Sequence, residues 1–290
     1  MRSLLFVPGH DERKMAKALG SGADALILDL EDAVPDDLKS KAREATAAFV
    51  SANRNVLPML IRVNALSTAY AQDDIAAAAQ ARPFAIMLPK CESARDLSAV
   101  DRRLGELEAE PHAQPPLRIL PIVTETAASM FGLATYAGAA CPRLFGMLWG
   151  AEDLAADVGA SANRVAGEYT APFVLARSLC LFAASAAGVL AVDAVYTDLR
   201  NAEGLREEAM AAAAAGFGAK AAIHPGQIEI INEAFTPSPV ALDRARVIVA
   251  AFAERPDAGA VNVDGRMLDR PHLSAAQRLL ARALPRPDKP

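Results

Sequence analysis

ALILDLED, residues 25–32, is an apolar run that ends abruptly in carboxylates. From Ala25 to Leu30 it is close to uniformly apolar rather than alternating, as expected of a strand buried on both faces of a parallel sheet. Asp29, Glu31 and Asp32 crowd its carboxyl end. Seven further short runs rich in Val, Ile and Leu have the same character: Ser3 to Val7, Leu57 to Val63, Ala85 to Leu88, Leu117 to Val123, Leu144 to Leu148, Leu190 to Val195 and Lys220 to Ile223. Between them lie segments of helical composition with acid-rich first turns, such as Asp37 to Phe49, Ser93 to Glu108 and Asn201 to Ala215. Eight strands alternating with helices in about 230 residues predict a (β/α)8 TIM barrel of class α/β. An open doubly wound sheet instead calls for a GxGxxG loop after the first strand, and the chain has none there.

The barrel is assigned to residues 1–238, and residues 239–290 to a C-terminal helical extension. That extension carries a helix at Val240 to Glu254, the stretch DAGAVNVDGRMLDRP, and a final helical pattern from Leu273 to Ala283. A barrel does not need it, so it is either packing decoration or a lid over a neighbouring mouth. The tail Leu284 to Pro290 is proline-rich and expected to fray.

Composition narrows the function classes. The 290 residues are 52% hydrophobic and 22% charged, and 30 Lys+Arg against 35 Asp+Glu leave a formal charge of -5, too acidic for generic nucleic-acid binding. Cys91, Cys141 and Cys180 are an odd set without CxxC spacing, which argues against disulfides or structural zinc and fits a reducing cytoplasm. The apolar run at Leu4 to Val7 is too short for a signal-peptide core. The longest uncharged stretch, Ser178 to Val192, falls short of the roughly 20 residues that cross a bilayer, and reads as a buried alanine-rich helix running into a strand.

In a barrel the residues just after each strand converge on one rim. Here strand two delivers Asp29, Glu31 and Asp32, strand three Arg62 and Asn64, strand four Lys90, strand five Glu125, strand six Glu152 and Asp153, and strand eight His224. Any one could be an ordinary helix cap; together they favour an active site. Glu125 and Asp153 follow adjacent strands, so their carboxylates could meet around a hard cation such as Mg2+. They could equally serve the dipoles of the helices they begin. Arg62 has the planar fork that holds a carboxylate or a developing oxyanion, or it forms a structural salt bridge with Asp29 or Glu31. His224 precedes a proline and reads as a hydrogen-bonded rim residue rather than a base.

The chain resembles the citrate lyase beta-subunit-like (CitE-like) family, within the larger HpcH/HpaI aldolase group. The matching stretches are RSLLFVPG (Arg2 to Gly9), DALILDLEDAV (Asp24 to Val34), IRVNAL (Ile61 to Leu66), MLPK (Met87 to Lys90), TETA (Thr124 to Ala127), WGAEDLAADVGA (Trp149 to Ala160), AVDAVYTD (Ala191 to Asp198), GFGAKAAIHPGQI (Gly216 to Ile228) and INEAFTPS (Ile231 to Ser238). LDLEDAV, GAEDLAAD and IHPxQI in that order are specific to the family, and the resemblance spans essentially the whole chain.

The resemblance implies a homotrimer or hexamer of barrels that break or make a carbon–carbon bond in a 3-hydroxyacyl-CoA thioester, with features nearest malyl-CoA and citramalyl-CoA lyases. It implies that Glu125 and Asp153 ligate magnesium next to the substrate. Arg62 then contacts the oxygen of the 2-oxo acid, with Asp29 and Glu31 orienting Arg62 and the metal waters. Phe6 and Lys17 lie along coenzyme A, although Asp11 stands where some relatives carry an arginine. The DGRMLD segment resembles a lid whose aspartate, here Asp269, reaches a neighbouring subunit's site as acid/base. Two other readings share the motifs: a beta subunit acting on citryl-acyl carrier protein beside a citrate lyase alpha subunit, and an aldolase for free 2-oxo acids. Intact Arg62, Glu125 and Asp153 weigh against a non-catalytic scaffold.

Overall fold

A computed structural model describes residues 1–108, 115–139 and 141–283. The proline-rich tail from residue 284 lies outside them. The chain divides into two compact units, Met1–Asn232 and Glu233–Pro290. Its strands are, in order, β1 (Ser3–Pro8), β2 (Ala25–Asp29), β3 (Met59–Arg62), β4 (Ala85–Leu88), β5 (Arg118–Pro121), β6 (Gly146–Leu148), β7 (Arg164–Val165), β8 (Glu168–Tyr169), β9 (Leu190–Asp193), β10 (Ala219–Ala222), β11 (Ala260–Val263) and β12 (Arg266–Asp269).

Eight of these form one sheet in the order β5-β4-β3-β2-β1-β10-β9-β6, every neighbouring pair parallel. Its two edges meet: the amides of Ile119, Phe145 and Val123 donate to the carbonyls of Arg143, Ile119 and Leu148 at 2.7, 3.0 and 2.9 Å. The sheet therefore closes on itself as a barrel, which removes the exposed edges of an open sheet. All eight apolar runs expected as strands are the eight barrel strands.

Alternation along each strand sorts side chains into two layers. Leu4, Ile27, Leu60, Met87, Leu120 and Val192 fill the barrel interior. Residues two positions further, Phe6, Asp29 and Arg62, fall on the same inward face but at the carboxyl rim. Helices form where the sequence supplies caps. The Ser93 hydroxyl accepts from Arg95 N at the start of Ala94–Leu107, and Asn201 accepts from Gly204 N at the start of Ala202–Ala215. Gly216 ends the latter helix with φ 118°, a left-handed conformation that glycine adopts without steric cost.

One helix departs from the sequence reading. The stretch expected as a buried helix belongs to Ala171–Ala186, which buries Phe173, Ala176, Cys180, Ala183 and Ala184 but leaves Phe182 65% exposed along with Val174 and Leu175. Its apolar residues surround the helix, and a surface helix can bury only one stripe.

The second unit joins the helices Pro239–Ala253 and Arg270–Ala283 to the antiparallel hairpin β11/β12, around a small core that includes Ile248, Phe252, Val261 and Leu268. The extension is thus helical and β-hairpin rather than helical alone. Asp264 and Gly265 both take positive φ, 52° and 77°, as the Asp-Gly turn of a two-residue hairpin requires. Among the described residues no helix is long and apolar enough to cross a membrane. The three cysteines are free and buried.

Candidate active site

Arg62 closes β3 and lies across the barrel mouth, nearly buried. Its Nε and Nη2 each donate to one oxygen of Asp29 at 2.7 Å, a two-pronged pairing that fixes the plane of the guanidinium. Asp29 also accepts the amides of Glu31 and Ala33. Burial alone would raise its pKa, but Arg62 and these amides hold it below the usual carboxylate value. The remaining nitrogen of Arg62, Nη1, is 3.1 Å from Glu31 Oε2 and 3.5 Å from Asp32 Oδ2, and the Phe6 ring centroid lies 5.0 Å from its Cζ.

Lys90 follows β4 with φ 49°, a left-handed conformation that costs a non-glycine residue about 1 kcal/mol or more. That twist turns the backbone amide toward one carboxylate and the side chain toward others. Its N–H donates to Glu125 Oε2 at 2.6 Å, while Nζ lies 2.7 Å from Glu31 Oε1, 3.2 Å from Asp153 Oδ1 and 3.8 Å from Asp32 Oδ1. Burial opposes the ammonium charge, yet Glu31, Glu125 and Asp153 together raise its pKa.

Glu125 is buried, and burial followed by the charge of Asp153 pushes its carboxyl up to about 8 despite the opposing pull of Arg62. It does not cap a helix. That task falls to Thr126, whose hydroxyl accepts from Ser129 N at the start of Ala127–Gly132. Asp153 occupies the first turn of Glu152–Asp157 and turns its carboxylate to Lys90. The loops carrying the two residues are stitched together. Thr124 Oγ1 accepts from Gly150 N at 2.9 Å and donates to Gly150 O, and Asp157 accepts from Ala127 N. A Cβ at Gly150 would stand 2.7 Å from Glu125 Cγ, so only glycine lets the two loops approach this closely.

The rim thus brings together Phe6, Asp29, Glu31, Arg62, Glu125 and Asp153. Lys17 is elsewhere, exposed in the last turn of Glu12–Ala18, and Asp11 caps that helix by accepting from Lys14 N. Asp269 belongs to the second unit, exposed, with Oδ1 2.5 Å from His272 Nδ1. His224 Nδ1 accepts from Gly226 N and caps a short turn. Sequence reasoning placed Lys90 on the rim but gave it no part, and it missed Thr124 and Gly150. Only the left-handed backbone at Lys90, which no residue pattern announces, reveals its central place.

Charge identifies what the cluster can hold. Five carboxylates, Asp29, Glu31, Asp32, Glu125 and Asp153, surround two cations, Arg62 and Lys90. Glu31 Oε2 is buried without a hydrogen bond, and Glu125 takes up a proton near neutrality. Among the described residues no group of three or more His, Cys, Asp or Glu side chains is placed to hold a metal. Mg2+ does not ask for one, since it binds through one or two carboxylates and completes its shell with water and substrate oxygens. Glu125 and Asp153 fit that description.

The model of the HpcH/HpaI aldolase/citrate lyase family matches residues 2–225. The chain is 38% identical over 287 residues to a (3S)-malyl-CoA thioesterase of Cereibacter sphaeroides, covering 97% of this chain and 94% of that protein. It is 32% identical over 298 residues to the mitochondrial citramalyl-CoA lyase of Rattus norvegicus, covering 97% and 86%. The crystal structure of CitE from Mycobacterium tuberculosis in complex with magnesium, acetoacetate and coenzyme A superposes with a TM-score of 0.76 at 38% identity, covering 97% of each chain. On the match of the family model and the length of these alignments, the chain belongs to the HpcH/HpaI aldolase/citrate lyase family.

Proposed function

We propose that this protein is a magnesium-dependent carbon–carbon lyase that splits a 3-hydroxyacyl-CoA thioester of the malyl- or citramalyl-CoA kind into acetyl-CoA and a 2-oxo acid. The observation that carries this reading is the rim cluster, in which Glu125 and Asp153 lie beside a locked guanidinium. Glu125 and Asp153 hold the Mg2+, which supplies Lewis acidity to the oxygens of the hydroxy acid.

The chain's own residues do the rest. Arg62 binds the oxygen that becomes the ketone as the hydroxyl loses its proton, and Asp29 and Glu31 keep the guanidinium aimed. The carbon–carbon bond breaks with its electron pair passing into the thioester, giving an enolate that must be protonated at carbon. Asp269 of a second copy of the chain, a carboxylate at the outset, takes the hydroxyl proton and returns it to the enolate carbon, and in the reverse direction it removes the methyl proton of acetyl-CoA and gives it to the ketone oxygen. Residues 239–290 then act as a lid shared between copies, within a homotrimer or hexamer in the cytoplasm. Coenzyme A runs past Phe6 and Lys17.

A second reading has a specific observation behind it, the 38% identical relative named as a (3S)-malyl-CoA thioesterase. It predicts hydrolysis of the thioester in place of, or after, carbon–carbon cleavage. A carrier-protein thioester, as in a citrate lyase complex with its alpha subunit, uses the same rim.

Purified protein incubated with Mg2+ and malyl-, citramalyl- or citryl-CoA separates these readings through two products. Release of 2-oxo acid with acetyl-CoA, abolished by EDTA, is expected. Free coenzyme A thiol and intact hydroxy acid without any 2-oxo acid would replace the lyase with a thioesterase. Inertness toward all three would direct the search to an acyl carrier protein substrate.

A further inference from the structure

Behind the rim, between the barrel and its outer helices, lies a second charged cluster that the reaction does not use. Leu148 and Val192 are register partners on β6 and β9 and both face the barrel interior. The next residues, Trp149 just past the end of β6 and Asp193 at the end of β9, therefore face outward side by side. The indole Nε1 of Trp149 donates to Asp193 Oδ1 at 2.7 Å. The same oxygen accepts from Arg177 Nε at 2.8 Å, and Oδ2 accepts from Lys220 Nζ at 2.7 Å. Lys220 is fully buried and also reaches Glu208 Oε1 and the carbonyl of Ala194. Arg164 pairs with the other oxygen of Glu208 and lies 3.5 Å over the ring of Tyr169, whose edge meets Trp149 at 5.0 Å between centroids.

Such a network is costly to bury, and a well-packed apolar substitute is often at least as stable. Its geometry shows what it holds. Trp149 immediately precedes Gly150, which is pinned to Thr124 on one side and packs on Glu125 on the other, and Asp153 follows within one turn. The anchor is thus one residue from the contact between the two ligand loops.

We propose that Trp149 is a positioning residue for the cation site, its indole N–H tied to the Asp193–Lys220–Arg177 cluster so that Gly150 and Asp153 are held against Glu125. The proposal rests on reading Glu125 and Asp153 as the cation ligands. Residues that orient metal ligands typically cost ~10- to 100-fold in affinity when lost, and about tenfold is expected here.

The test is Mn2+ binding to the whole protein, followed by the paramagnetic resonance of the free ion. Trp149→Phe keeps an aromatic ring against Tyr169 and removes the N–H. Trp149 is the only tryptophan in the chain, so growth on β-(3-benzothienyl)alanine replaces this one N–H with sulfur at unchanged ring shape, and serves if the phenylalanine variant does not fold. Weakening of Mn2+ binding by about tenfold in a folded variant supports the proposal. A lowered melting temperature with the Mn2+ constant unchanged makes Trp149 merely structural and overturns it. Failure of the unaltered protein to bind Mn2+ is a different result, which removes the cation site itself and the proposed function with it.

Discussion

Glu125 and Asp193 are both fully buried carboxylates at the carboxyl end of the same barrel, and they end in opposite electrostatic states. Asp193 stands outside the barrel wall, where burial is outweighed by Lys220 and Arg177 and its pKa falls below the usual value. Glu125 stands inside, where burial and Asp153 outweigh Arg62 and its pKa rises to about 8. Each oxygen of Asp193 has its cation, Arg177 on one and Lys220 on the other. The inner cluster holds more anions than cations and gains from one further positive charge. A buried carboxylate can be paired on both oxygens in this fold, as Asp193 shows. The unbalanced rim is therefore a property of the site and not of burial in this barrel.

The largest effect that tests this contrast is on activity. Glu125→Gln and Asp153→Asn are expected to lower kcat/KM by on the order of a thousandfold, the scale of several kcal/mol of lost charge stabilisation. Melting of the metal-free protein should hold near neutrality, where Glu125 already carries a proton, and rise above pH 8, where the substitution removes a buried charge. The mirror experiment is Lys220→Met. It strips Asp193 of a cation and is expected to cost ~3–5 kcal/mol of stability, read as a fall of about 10 °C in Tm. If Lys220→Met left Tm unchanged, the pairing of Asp193 with Lys220 would not be structural.

Arg62→Lys gives a smaller effect, on the order of 10- to 100-fold in kcat/KM, since a point charge replaces a fork that pairs Asp29 through two parallel bonds. An activity equal to that of the unaltered enzyme would mean that only charge matters there. The smallest effect concerns stability against pH. Glu125 has a folded pKa near 8, above the 4.5 of a free glutamate, so the folded state binds the extra proton between these values. Its contribution to stability is fully present below pH 4.5 and lost as pH rises through 8. Melting curves in EDTA from pH 5 to 9 should show a decline in the parent that Glu125→Gln flattens.

Much of this was legible in the residues because its physical signals are local. Uniformly apolar runs such as Ala25 to Leu30 marked strands covered on both faces, and the carboxylates that follow them could only gather at one rim once the barrel was assumed. Ser93 and Asn201 marked helix starts to within a residue. What escaped depends on neighbours distant in sequence. Lys220 read as the first residue of an apolar strand, and nothing near it announces Asp193 or Glu208. The exposed Phe182 could not be foreseen in a helix apolar on all sides, and the Asp-Gly turn at Asp264 and Gly265 was passed over in a segment read only as part of a lid. The central place of Lys90 follows from a backbone torsion alone.

Calorimetric titration of the metal-free protein with Mg2+ at pH 7, in two buffers of different ionisation enthalpy, shows whether Glu125 gives up a proton to hold the cation. A cation held by a carboxyl that is largely protonated at that pH must displace its proton. A single site per chain is expected, which releases most of one proton on filling and whose binding is lost in Glu125→Gln. Binding without proton release, or binding that survives Glu125→Gln, would contradict it.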